Sequence, residues 1–237
     1  MFRTNVTALL GHFGSGKTEI ALNGALSLAG RGEDVTLADL DVVKPYFRSR
    51  SARHILEQAG VALIAPEGEH IFADLPIIVP QVRDAVRRHH RKIILDIGGD
   101  ATGARVLGSL ADVLPEEDCS ILAVVNFSRP GTPDPDAAAM MIRSIEATAR
   151  TRVTGLLSNT HLLDETTAEI VAEGAHLAVE TGELLELPVV GAAMYSELAD
   201  ELDGRLPCPC LRLERIVKPP FDLQPKARTT GPLFVVN

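Results

Sequence analysis

The sequence predicts an α/β fold built on a parallel sheet, and two observations carry that prediction. Seven short β-branched or apolar runs of about 5–8 residues recur along the chain, and patterns of helical length, about 10–16 residues, separate them. That alternation fits repeated βαβ units with helices above and below the sheet. The expected architecture is therefore three-layered, with a mostly parallel sheet of seven to eight strands.

In order, the runs are NVTALL, DVTLADL, VALIAP, KIILDI, CSILAVVNF, RVTGLLSN and LPVVGAA. Helices are expected between them over residues 17–30, 49–59, 79–90, 103–113, 135–150 and 166–182. Gly30 and Gly32 supply a stop for the first, and Thr166-x-x-Glu169 reads as a capping box that opens the last. From Arg205 the text turns proline-rich, with LRLERIV as one further edge strand ahead of an irregular tail.

The 237 residues are expected to form one core. A formal charge of -9 argues against broad nucleic-acid binding, which needs a basic face. No run approaches the roughly 18 apolar residues of a membrane span, and the start lacks a signal-peptide core. A cytoplasmic protein with reduced thiols at Cys119, Cys208 and Cys210 is expected.

The strongest local signal is Gly11-His12-Phe13-Gly14-Ser15-Gly16-Lys17-Thr18, which fits GxxxxGK[ST]. It follows an apolar run and opens a helical pattern, the setting in which a glycine-rich turn points successive N–H groups at a phosphate. In that setting Lys17 reaches the β- and γ-phosphates and Thr18 offers its hydroxyl to Mg²⁺. Two acidic clusters end neighbouring strands: Asp39-Leu40-Asp41 after 34–38, and Asp96-Ile97-Gly98-Gly99-Asp100 after 92–95. Carboxylates at a sheet's carboxyl edge can hold Mg²⁺ and water, and Gly99 allows a backbone amide to approach the γ-phosphate.

With these motifs, over about residues 4–195, the chain resembles the MinD/ParA and nitrogenase-iron-protein group of SIMIBI-class P-loop NTPases. The resemblance implies that Asp39 and Asp41 are switch I aspartates, with Asp41 positioning or activating the attacking water. It also makes Asp96 the Walker B aspartate that holds Mg²⁺ through water. One departure is His12, which stands where MinD and ParA carry a lysine that crosses a dimer to the partner's phosphates. Imidazole carries no permanent charge at neutral pH. Lys44, Arg48 or Arg50, just beyond Asp41, could contact phosphate instead, in cis or in trans; the same residues read equally well as a solvated basic helix start.

GTP readers of this class present Asn-Lys-x-Asp, whereas this chain has Asn159-Thr160-His161-Leu162. The missing aspartate favours ATP, and the resemblance implies that Asn159 contacts adenine; Tyr195, beside Met194 after the last core strand, reads first as core edge and second as packing on the adenine face. Cys208-Pro209-Cys210 is read as small apolar residues on an edge strand in preference to a metal pair. The basic run from Arg83 to Lys92 is read as the cationic end of a helix.

The combined expectation is a P-loop nucleotide-binding domain over residues 1–204, with 205–237 as edge strand and tail of the same domain. Its cofactors would be ATP and Mg²⁺, and its activity ATP hydrolysis. It would switch between ATP and ADP states through a nucleotide-dependent homodimer or a protein partner, without a membrane anchor. The alternatives are an ATP-dependent biosynthetic enzyme of the dethiobiotin synthetase or cobyrinate-amidating kind, its second pocket lined by a loop at 66–78, and a DNA-partition ATPase.

Overall fold

The computed structural model describes residues 2–41, 53–65, 71–88, 91–99 and 101–217, without the side chains of 71–78. Eight strands among them form one sheet: β1 (Val6–Leu10), β2 (Val35–Leu40), β3 (Ala62–Ile64), β4 (Lys92–Ile97), β5 (Cys119–Val125), β6 (Gly155–Ser158), β7 (Val189–Tyr195) and β8 (Cys210–Leu213). Their order is β3-β2-β4-β1-β5-β6-β7-β8, and every neighbouring pair is parallel. The helices are α1 (Lys17–Ala29), α2 (Arg53–Gln58), α3 (Ile71–Val86), α4 (Ala101–Gly108), α5 (Pro135–Ala149), α6 (Ala168–Leu185) and α7 (Ser196–Leu202).

Strand alternation divides the core into two apolar layers. Val6, Ala8 and Leu10 of β1 pack with Leu95 and Ile97 of β4 against Val82, Leu107 and Ile142 from α3, α4 and α5. Leu9, Leu37 and Ile94 face the other way, onto Ile20, Leu22 and Leu28 of α1 and Leu56 of α2. Central strands buried on both faces explain why their sequences read as continuous apolar runs.

The expected three-layer α/β sheet of seven to eight strands is present, and it is parallel to its edge, since the late strand pairs with β7 in parallel register, Ala192 opposite Cys210 through Tyr195 opposite Leu213. Other expectations change. The second-pocket loop expected at 66–78 is helical from Ile71 onward; residues 66–70 lie outside the described residues. α3 continues through Pro76 and Pro80, although neither has the N–H donor that helix interiors use.

The cap of α6 is Thr167 rather than Thr166: the Thr167 hydroxyl accepts from Ile170 N, while the Thr166 hydroxyl donates to Leu163 O. α3 ends at Val86, so the later members of the basic run serve other ends. Arg83 pairs with Asp112, Arg91 with Asp34 at 2.7 Å, and Lys92 opens β4 and donates to Arg3 O.

Candidate functional site: a phosphate loop between three strand ends

Parallel strands deliver all their carboxyl ends to one edge, and β1 lies between β4 and β5, so three turns converge there. The turn after β1 is the glycine loop. Gly16, which precedes α1, adopts φ 83°, ψ 18°, a left-handed conformation that glycine reaches without strain. A Cβ at Gly16 would also collide with the side-chain amide of Asn159. α1 then starts at Lys17 with no side-chain cap, leaving its first N–H groups and its dipole directed at the loop.

Lys17 is 6% exposed, and its Nζ donates to Gly11 O at 3.0 Å and His12 O at 3.2 Å, so the ammonium is folded back over the loop. Ser15 is buried, and its Oγ has no hydrogen-bond partner among the described residues. A buried orphan hydroxyl in a loop of this shape fits a polar ligand. His12 and Phe13 are exposed, and the imidazole rests against Gly131 of the turn after β5.

The acidic residues meet by strand register. Asp39 of β2 lies directly opposite Asp96 of β4, and both are buried on the face that packs against α1. They are the penultimate residues of their strands, which run two residues past the ends expected from the sequence, so both aspartates lie within the sheet and not just after it. Thr18 Oγ1 donates to Asp96 Oδ2 at 2.7 Å, joining the loop's last residue to β4. Two neighbouring buried carboxylates favour a cation between or beside them.

No cage of three or more acidic, histidine or cysteine ligands exists among the described residues. Mg²⁺ is commonly held by one or two carboxylates together with substrate phosphates and water, so Thr18, Asp39 and Asp96 fit that ion.

Asp41 lies just past β2, and its backbone N–H donates to Asp39 Oδ1. A Cβ on Gly98 would stand 3.1 Å from Asp41 Oδ1, so the two acidic turns touch. Gly99 comes closer still to the phosphate loop: its Cβ would fall 2.6 Å from Phe13 N and 2.7 Å from Gly11 O. Only glycine fits there. Asp100, Lys44, Arg48 and Arg50 lie outside the described residues.

Asn159, 5% exposed, follows β6, and its Nδ2 donates to Ser15 O at 2.7 Å, supporting the loop from behind. Tyr195 is half-buried and Arg215 covers its ring at 4.8 Å, while Arg215 also pairs with Asp164. Burial raises the Tyr195 phenol above its ordinary range. One ring face is therefore occupied by the protein itself.

Two features were not anticipated. The turn after β5 carries Asn126 and Arg129 to the loop, with Arg129 Nε donating to Gly14 O at 3.2 Å. The segment after β8 is strapped to α1, because Glu19, 8% exposed, accepts from the backbone N–H groups of Ile216 and Val217. The polar, proline- and glycine-punctuated NFSRPGTPD was the available signal for the first.

Burial raises the thiols of Cys208 and Cys210, and no metal-binding group forms around them among the described residues. No described helix is long and apolar enough to cross a membrane.

No protein-family model matches the sequence, and no curated protein matches it. Solved structures do. The cell division protein FtsY of Thermotoga maritima is similar at TM-score 0.51 and 19% identity, over 80% of this chain and 61% of that one. Chloroplast FtsY of Physcomitrella patens gives 0.53 and 19%, over 79% and 57%. The signal recognition particle receptor FtsY of Elizabethkingia anophelis in complex with GDP gives 0.52 and 20%, over 79% and 56%. The chain spans about three fifths of the length of these proteins. Together with the all-parallel sheet and the glycine loop at its carboxyl edge, this likeness shows that the chain shares the α/β fold of the matched part of FtsY.

Proposed function

We propose that the protein is a MinD/ParA-like ATPase that binds and hydrolyses ATP with Mg²⁺ and uses the cycle as a switch. The observation that carries this reading is the buried hydrogen bond from Thr18 to Asp96, with Asp39 alongside, beneath the loop that Lys17 closes. This is the donor set that a magnesium–nucleotide pair requires, assembled at the sheet edge where the fold binds ligands.

In this reading the loop amides and Lys17 hold the phosphates, and Thr18 and Asp96 hold the metal with Asp39. Asp41 orients water beside Gly98, and the amide of Gly99 faces the terminal phosphate. Mg²⁺ would neutralise charge developing on the transferred phosphoryl group. Preference for ATP is supported by Leu162, where a guanine reader carries an aspartate, and by Asp164 being engaged with Arg215.

The test combines turnover with solution mass. Mg-ATP is expected to be hydrolysed faster than Mg-GTP, and Asp41→Ala is expected to bind ATP with hydrolysis reduced about 100-fold. Light scattering of that variant should show two copies with Mg-ATP and one with Mg-ADP. Equal turnover of both nucleotides would remove the base assignment. A mass indifferent to nucleotide would remove the switch and favour a biosynthetic ATPase.

A further inference from the structure

The turns after β1, β5 and β6 are joined by side-chain hydrogen bonds that converge on the outer side of the phosphate loop. When successive N–H groups turn inward to cradle an anion, carbonyls of the same peptides turn outward and need donors from elsewhere. Gly14 and Ser15 present two such consecutive carbonyls. Arg129 Nε donates to the first at 3.2 Å and Asn159 Nδ2 to the second at 2.7 Å. The guanidinium also packs against Gly14, where a Cβ would meet Nε at 3.4 Å and Cζ at 3.7 Å.

Asn126, 1% exposed, fixes the two turns that carry these donors. Its backbone carbonyl accepts from Arg129 N at 3.2 Å and from the Thr132 hydroxyl at 2.8 Å. Its side chain accepts from Ser128 N and His161 N and donates to His161 O. Arg129 forms no ion pair among the described residues.

We propose that Arg129 is a positioning residue for the phosphate loop and the cation that this chain supplies to it in cis. It holds the Gly14 carbonyl outward, so that the loop's amides stay aimed at the anion. It also places a permanent positive charge on the cradle's wall, which His12 does not. The inference rests on the nucleotide reading above and deepens it by naming the residue that sets the loop's affinity for a diphosphate.

The experiment is calorimetric titration of Mg-ADP and of AMP into the full chain and its Arg129→Ala, Arg129→Gln, Arg129→Lys and Lys17→Ala variants, with melting temperatures alongside. Loss of a charge-assisted hydrogen bond predicts that Ala and Gln weaken ADP about tenfold. Lysine, keeping charge and a donor, should restore affinity to within about threefold of wild type. AMP lacks the β-phosphate and should lose less than ADP in every Arg129 variant.

Either of two results overturns the proposal: ADP binding of Arg129→Ala within about twofold of wild type, or Arg129→Lys no better than Arg129→Gln. Equal ADP affinity in wild type and Lys17→Ala would instead overturn the nucleotide reading on which it rests.

Discussion

Gly99→Ala puts the contact between the acidic turn and the phosphate loop to a direct test. The added Cβ would lie 2.6 Å from Phe13 N, 2.7 Å from Gly11 O and 2.8 Å from His12 C. All three are backbone atoms, so no flexible side chain can swing away. Comfortable contact begins near 3.5 Å, so the two loops must separate by about 0.8 Å. Forced separation of this kind costs about 1–3 kcal/mol of stability. Displacement approaching an ångström at a reacting centre lowers turnover about 100-fold.

Urea unfolding gives the first quantity and ATP turnover the second. Gly98→Ala is the control, because its Cβ would meet the carboxylate end of Asp41 at 3.1 Å, a group able to shift. Its stability cost is expected to stay below about 1 kcal/mol. A Gly99→Ala protein within about 0.5 kcal/mol of wild type and with turnover within about twofold would refute the argument. So would a larger stability loss at Gly98.

Glu19→Ala removes the acceptor for two backbone N–H groups at 216 and 217, which should cost about 2 kcal/mol and accelerate exchange of both amides. Unchanged protection there would show that the strap is held by other contacts. Iodoacetamide at pH 8 should label exposed Cys210 first and Cys119 last, since burial, with Asp118 nearby, pushes the Cys119 thiol up to about 12. Mass spectrometry of timed samples reads that order. The Arg83 hydrogen bond holds Asp112 below the ordinary carboxylate range, so their pairing stabilises above the unfolded pKa of about 4 and is lost as pH falls further. Melting of wild type and Asp112→Asn should differ at neutral pH and converge at acid pH; a difference that persists in acid would contradict the pairing.

Much of the fold was legible because its signals are local. The runs at 6–10, 93–97 and 121–125 mark central strands, since burial on both faces makes most of their positions apolar. α3 begins at Ile71, eight residues before the helix expected at 79–90, and it carries Pro76 and Pro80 in its interior, where each removes a helix donor. The α6 cap slipped by one residue because Thr166 and Thr167 are chemically equivalent, and only backbone direction decides which hydroxyl reaches the next turn.

The octet from Gly11 to Thr18 and its place before α1 were determined by sequence alone, because a phosphate cradle is made from consecutive peptides. Which side chains surround that cradle was decided only by tertiary structure. Strand order places β5 beside β1 and β2 beside β4, bringing Arg129 to Gly14 and Asp39 opposite Asp96. The strap from Glu19 to Ile216 spans most of the chain in the same way. Such contacts follow from how whole layers bury their apolar faces, and no single stretch of residues encodes that packing.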